Sequence, residues 1–119
     1  MAPTIGMYSF ECSNAARLAE FWAQVMGKQV DSGASADYAT LDFAAEGPTW
    51  MFVRASEASQ DANRFMLDLT DSEYEREGGR IEGIGAERVS DNEQDGIRWK
   101  VFRDPEGNTF RLFAPRPAS

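Results

Sequence analysis

The sequence repeats one order of secondary structure twice, and this repetition restricts the possible fold more than any other feature. Each half predicts a strand, a helix and then three further strands. A shift of 59 residues places Met7 on Met66. A shift of 60 places Thr49 on Thr109, and a change of one residue in loop length accounts for the difference. The repeat predicts an α+β chain of two βαβββ modules.

The proposed modules cover residues 1–58 and 59–119 of one small domain. In the first module, five apolar residues recur at helical spacing and form one stripe: Leu18, Phe21, Trp22, Val25 and Met26. Ser13 or Asn14 is the candidate N-cap, and Gly27 is the expected stop. Period-two or apolar runs predict strands in this module at 5–10, 28–31, 38–43 and 49–55.

In the second module, Thr70 and Glu73 have the spacing of a capping box, which predicts a helix to about Gly83. Gly78 and Gly79 are expected to weaken this helix. The predicted strands lie at 63–69, 87–90, 97–102 and 109–113. The polar residues of 56–62 are expected to link the modules, and those of 91–95 to form an acidic loop.

The last two strands flank strong turn chemistry at residues 104–108, where Pro105 presets φ and Gly107 tolerates a positive φ. This pattern predicts a β-hairpin near the end of the chain. Arg111 alternates with apolar neighbours in the second strand, so its charge is placed on the opposite face from theirs.

Composition excludes several function classes. Twenty acidic residues against 12 basic ones give a net charge of −8, which argues against a nucleic-acid partner. Histidine is absent and Cys12 is the only cysteine, so a zinc site is not expected. A lone cysteine also favours location in a reducing cytoplasm. No apolar run is long enough to cross a membrane, and residues 1–4 do not begin a signal peptide.

Four segments of the sequence resemble the vicinal oxygen chelate superfamily, which includes glyoxalases, extradiol dioxygenases and bleomycin-resistance proteins. They are L-A-E-F-W-A-Q-V-M-G at 18–27, F-M-L-D-L-T at 65–70, I-G-A-E-R-V at 84–89 and D-P-E-G-N-T-F-R-L-F-A-P at 104–115. The resemblance implies mixed sheets that curl around a cavity, with the helices outside.

Strand alternation, combined with that implied fold, divides the side chains between two faces. The residues expected to line the cavity are Met7, Ser9, Glu11, Met51, Val53, Met66, Asp68, Arg111 and Phe113. Trp99 and Phe102 are further candidates, although alternation does not decide which of them points inward. The residues expected under the helices are Tyr8, Phe10, Trp50, Phe52, Phe65, Leu67, Phe110 and Leu112.

Metal-dependent members of the superfamily carry His, Gln or Glu at four cavity positions. The matching positions here are Met7, Met51, Met66 and Arg111. Thioethers and a guanidinium are poor ligands for a hard or borderline divalent ion, and the guanidinium adds repulsion. We therefore expect neither a metal nor another cofactor.

Three functional hypotheses follow. The first is a cytoplasmic, homodimeric protein that binds a small molecule without catalysis and sequesters an antibiotic or an aromatic or cationic natural product. The second is a metal-independent isomerase, cyclase or lyase with Asp68 or Glu11 as base and Arg111 as oxyanion partner. The third is a collapsed cavity in which Asp68 and Arg111 form a structural ion pair.

Overall fold

A computed structural model describes residues 5–55 and 66–115 of the chain. These residues form two helices and seven strands in two mixed sheets, which confirms the predicted α+β class. The chain divides into two compact units, Met1–Gln60 and Asp61–Ser119. The predicted linker at 56–62 and the first residues of the predicted strand at 63–69 lie outside the described ranges.

The first unit contains one helix and a three-stranded sheet. Its elements are β1 (Met7–Cys12), α1 (Ala15–Met26), β2 (Tyr38–Leu41) and β3 (Thr49–Arg54). The strand order is β1-β3-β2, with β1 parallel and β2 antiparallel to β3. The strand predicted at 28–31 is reduced to a single bridge between Val30 and Leu41. Asp31 instead accepts hydrogen bonds from the Thr40 hydroxyl and the Phe43 N–H, so side-chain bonding replaces a longer ladder.

The predicted signals fix both ends of α1. The Asn14 side chain caps the helix by accepting from the Arg17 N–H at 3.1 Å, and Gly27 ends it with a left-handed φ of 67°. Between them the apolar stripe faces the sheet, where the Trp22 ring lies 5.6 Å from that of Trp50. The core of this unit is therefore aromatic and lies between α1 and one face of the sheet.

The second unit has the same topology with a complete set of strands. Its elements are β4 (Leu67–Thr70), α2 (Tyr74–Ile84), β5 (Glu87–Gln94), β6 (Ile97–Arg103) and β7 (Thr109–Phe113). The order is β4-β7-β6-β5, with β4 parallel to β7 and the other pairs antiparallel. Tyr8 pairs with Trp50 in the first sheet and Leu67 with Phe110 in the second, so the repeat preserves the register as well as the order.

Two local predictions for this unit are wrong. Residues 91–94 belong to β5 rather than to a loop, and the chain turns only at Asp95 and Gly96, both with positive φ. The capping box does not form because Thr70 is the last residue of β4. The N-cap position is Glu73, without a side-chain cap, and Asp71 Oδ1 holds the turn before the helix by accepting from the Glu73 N–H at 2.7 Å.

The helix α2 packs over a buried lysine. Tyr74, Gly78 and Ile81 are its buried residues, and the aliphatic stem of Lys100 lies directly against Gly78. The Lys100 side chain is only 4% exposed, and its Nζ lies 2.9 Å from Asp91 Oδ1. Lys100 is therefore buried along its stem while its charge meets a carboxylate at the rim.

The predicted hairpin between β6 and β7 is present, and a buried carboxylate holds its turn. Asp104 Oδ1 accepts from the backbone N–H groups of Glu106 and Asn108, each at 2.9 Å. The Asn108 side chain donates to both oxygens of the same carboxylate.

Neither α1 nor α2, the helices of the described ranges, has the length and apolarity needed to cross a membrane.

Candidate functional site

The face of the second sheet turned away from α2 gathers charged, polar and aromatic side chains. We call it the open face and define it by Asp68, Thr70, Trp99, Arg111 and Phe113. Alternation places them there because their strand neighbours Leu67, Lys100, Phe110 and Leu112 occupy the opposite face. Asp68 is in register with Arg111, and Phe113 lies between Thr70 and Trp99.

Asp68 and Arg111 form a two-point ion pair. Nε of Arg111 donates to Oδ1 of Asp68 at 2.7 Å, and Nη2 donates to Oδ2 at 2.8 Å. These hydrogen bonds raise the pKa of the Arg111 guanidinium above its ordinary value. Both side chains are partly exposed, at 30% for Arg111 and 43% for Asp68, so the pair is fixed in geometry but reachable from solvent.

The aromatic part of the open face is a continuous stack. The rings of Trp99 and Phe113 are 5.7 Å apart and inclined by 22°. The Arg111 Cζ atom lies 5.1 Å from the centre of the Phe113 ring, within cation–π range. Trp99 and Phe113 are both half-buried, so part of each ring remains available for contact.

Two pockets adjoin this stack and share Ile97 and Phe113. The Asp68 pocket, of about 350 Å³, is lined by Asp68, Leu69, Thr70, Ile97, Phe113 and Ala114. The Arg111 pocket, of about 230 Å³, is lined by Gln94, Asp95, Ile97, Trp99, Arg111 and Phe113. The two partners of the ion pair thus line different pockets, the carboxylate one and the guanidinium the other.

The candidate residues of the first unit lie together on one face of their own sheet, opposite α1. They are Met7, Ser9, Glu11, Met51 and Val53. Met7 is 47% exposed, whereas Met51 and Val53 are half-buried. Met66 immediately precedes β4, on the same alternation as Asp68, and is 39% exposed.

Phe102 does not belong to the open face, which corrects its proposal as a wall of the cavity. Its side chain is fully buried, lies 3.9 Å from the position of a Cβ on Gly78, and stacks on Phe110. The physical reason is strand alternation: Trp99 points to the open face, so Phe102, three residues later, points to α2.

The sequence predictions missed Thr70, Gln94, Asp95 and Ile97, which line the pockets. Alternation carried a usable signal for two of them, since Thr70 follows Asp68 and Ile97 precedes Trp99 by two residues. Gln94 and Asp95 lie in the segment predicted to be a loop, so no strand face was assigned to them.

The positions that the resemblance marks for metal ligands do not fit a divalent cation. Met7, Met51 and Met66 offer thioethers, and Arg111 offers a guanidinium already bonded to Asp68. Within residues 5–55 and 66–115, no three carboxylate or thiol side chains converge in a way that could hold a metal ion.

The second unit is a complete βαβββ module, and the first repeats its order with one strand reduced to the bridge of Val30; this repeated order is typical of the vicinal oxygen chelate superfamily. The chain belongs to the glyoxalase-like domain family, whose model matches residues 7–113. The resemblance noted in the sequence is thereby confirmed. No curated protein matches this sequence.

Solved structures from several bacteria share the fold. A glyoxalase/bleomycin resistance protein/dioxygenase family enzyme from Burkholderia phytofirmans is 19% identical, with a TM-score of 0.75 over 94% of this chain and 98% of that one. The fosfomycin resistance protein FosX from Listeria monocytogenes is 15% identical, with a TM-score of 0.76 over 97% and 95%. TioX from Micromonospora sp. ML1 is 17% identical, with a TM-score of 0.63 over 94% and 98%.

Proposed function

We propose that this protein binds a small molecule without a metal ion and sequesters a flat aromatic natural product, such as an antibiotic. The observation that carries this proposal is the stack of Trp99 and Phe113, which lies beside two pockets and a fixed ion pair. The ligand-binding residues are those of the open face, with Met66 beside them. Met7, Ser9, Glu11, Met51 and Val53, on one face of the first unit's own sheet, are proposed as the ligand-binding residues of that unit.

The physical basis for aromatic recognition is the incomplete burial of the stack. A flat ligand that covers Trp99 and Phe113 removes apolar ring surface from water and adds a stacking contact. Because the two rings are already nearly parallel, the ligand does not have to order them first. Arg111, held over Phe113 by Asp68, adds donors that orient a polar group of the ligand.

The chemistry of the side chains supports metal-free binding. A metal mechanism needs oxygen or nitrogen ligands where this chain has Met7, Met51, Met66 and Arg111. FosX is a fosfomycin resistance protein, and the Burkholderia structure belongs to a glyoxalase/bleomycin resistance protein/dioxygenase family. Antibiotics are therefore among the ligands that we propose to test.

A metal-independent enzyme is the alternative function, and the geometry of the ion pair argues against it. Both oxygens of Asp68 accept hydrogen bonds from Arg111, and a proton taken up by Asp68 would remove the negative charge that pairs with the guanidinium, so the arrangement favours an ion pair over a general base. Arg111 keeps N–H donors beyond the two bonded to Asp68, but its charge is already paired with that carboxylate, so it would stabilise an oxyanion weakly. We therefore assign no catalytic residue.

The proposal includes a homodimer in the cytoplasm, with neither nucleic acid nor membrane as partner. The lone Cys12 supports a reducing compartment, and the net charge of −8 opposes binding to polyphosphate chains. Sedimentation of the purified protein at several concentrations tests the dimer directly.

The experiment that tests the function is a tryptophan-fluorescence titration with bleomycin-type glycopeptides, mitomycins and flat polycyclic natural products. We expect saturable quenching at micromolar ligand or below for at least one class, unchanged by EDTA. Phe113→Leu removes one ring of the stack but keeps Trp99 as reporter, and it should weaken binding roughly three- to tenfold.

Phe43→Leu is the matched control, because Phe43 is 66% exposed in the first unit and is not a candidate site residue. It should leave the titration unchanged. The proposal is refuted if no compound in the panel gives a saturable response, or if both substitutions affect binding equally.

A further inference from the structure

The division of the ion pair between the two pockets makes the site chemically two-sided. Among the described residues, Asp68 is the only charged one that lines its pocket, so this pocket presents carboxylate oxygens and no cationic group. The Arg111 pocket contains both Arg111 and Asp95, so its charges are balanced. The aromatic stack lies at their junction, because Phe113 lines both pockets and Trp99 lines the Arg111 pocket.

We propose that the ligand has two parts: a flat aromatic ring that stacks on Trp99 and Phe113, and a short arm that carries a protonated amine into the Asp68 pocket. This inference rests on the proposed function and adds the chemical class of the ligand. The geometry of the strands sets the length of the arm. Asp68 and Phe113 lie on adjacent strands two residues apart in register, about 8 Å between Cα atoms.

Asp68 has capacity for an amine while it remains bonded to Arg111. An ionised carboxylate offers about four acceptor positions, and Arg111 occupies one on each oxygen. The side chain is 43% exposed, so an ammonium group can reach the remaining positions without breaking the pair. The Thr70 hydroxyl lines the same pocket and offers a further polar contact.

A ligand arm that carries an anion has no pocket on the open face comparable to the one that Asp68 offers to an amine. Two of the five N–H donors of Arg111 are bonded to Asp68, and a carboxylate that reached the remaining donors would lie close to the negative charge of Asp68 or Asp95. The open face therefore selects a cation over a neutral group, and a neutral group over an anion.

A matched ligand series tests this order: 1,8-naphthalimides substituted on the imide nitrogen with 3-(dimethylamino)propyl, butyl or 3-carboxypropyl arms. The ring is constant, so differences in affinity report the arm. We expect the amine to bind about fivefold tighter than the butyl compound, the size of a partly exposed ion pair, and the carboxylate to bind most weakly. The advantage of the amine should shrink as salt is added.

Asp68→Asn should abolish the preference for the amine while the butyl compound still binds, and it should improve binding of the carboxylate because Arg111 is released. Asp37→Asn is the matched control, since Asp37 is an exposed carboxylate of the first unit that pairs with Arg54 and lines neither pocket, and it should keep the preference for the amine. Circular dichroism and the urea midpoint establish that both variants are folded.

Equal binding of the amine and butyl compounds to the wild-type protein overturns this inference and leaves aromatic binding intact. An amine preference that survives Asp68→Asn overturns it as well. Failure of all three naphthalimides to bind counts against the proposed function itself, and the inference falls with it.

Discussion

Two adjacent glycines in α2 should respond in opposite ways to the same substitution. A Cβ added at Gly78 would lie 2.8 Å from Cδ and 2.9 Å from Cε of Lys100, too close for either atom to stay in place. A Cβ added at Gly79 would have nothing within 4 Å. Gly79→Ala is therefore a matched control for Gly78→Ala in the same helix turn.

The expected magnitudes follow from the contacts of Lys100. Alanine stabilises a helix interior by about 1 kcal/mol relative to glycine, and this gain applies at both positions. At Gly78 the lysine must leave Asp91 and the Tyr74 ring, whose centre is 4.8 Å from Nζ. A charged hydrogen bond contributes about 1.5–3 kcal/mol to stability. The bond from Lys100 to Asp91 lies near the low end of this range because Asp91 is 55% exposed. The cation–π contact with Tyr74 adds about 0.5 kcal/mol. Gly78→Ala should therefore lower the free energy of unfolding by about 1 kcal/mol, whereas Gly79→Ala should raise it.

Urea unfolding at pH 7 measures both changes, and a Lys100→Ala background isolates their cause. In that background the obstructing side chain is gone, so Gly78→Ala should become stabilising, like Gly79→Ala. Gly78→Ala as stable as Gly79→Ala in the wild-type background would refute the argument that Lys100 requires a glycine here.

Three further predictions concern stability. Asp104→Ala should lower the free energy of unfolding by about 2 kcal/mol, because its buried carboxylate accepts the hydrogen bonds that hold the hairpin turn, and Asp104→Asn should recover part of the loss in urea titrations. The hydrogen bond from Lys100 is the main cause of the lowered pKa of Asp91 in the folded protein. The stabilisation from this hydrogen bond is therefore complete above 3.8, the ordinary pKa of the carboxyl group, and is lost as the pH falls through the lower pKa of the folded state. The stability difference between wild type and Asp91→Asn should accordingly be constant well above pH 3.8 and shrink as the pH falls below it; a difference that stays constant at low pH would contradict this. Gly27→Ala should cost about 1 kcal/mol because the residue has a φ of 67°, and thermal unfolding should show a lower midpoint.

Local chemistry made much of the fold predictable. Asn14 and Gly27 bound α1 as expected because capping depends on residues close in sequence. The first half of β5 was predicted as the strand at 87–90, but residues 91–94 were not predictable as strand, because they lie at the edge of the sheet and are polar rather than alternating with apolar residues. Thr70 had the right spacing for a cap, but strand pairing with Phe113 had already engaged its backbone.

The candidate site was predictable where one charge interrupts an apolar strand. Asp68 and Arg111 were assigned to the same face by alternation combined with the fold that the family resemblance implies, and the ion pair agrees with that assignment. The orientation of Trp99 depended on Lys100, and sequence patterns do not reveal that a lysine stem is buried. Once Lys100 is placed under α2, the faces of Trp99 and Phe102 follow.

The shared register of the two sheets makes the ion pair transferable. Ser9 and Met51 pair in the first sheet at the positions that Asp68 and Arg111 hold in the second. The substitutions Ser9→Asp and Met51→Arg would create the same salt bridge in the first unit. They would not change the residues packed in the core of either unit. A chain built from two repeats thus has two equivalent sheet faces. Substitutions can change the residues of one face while the other face keeps its residues and its function.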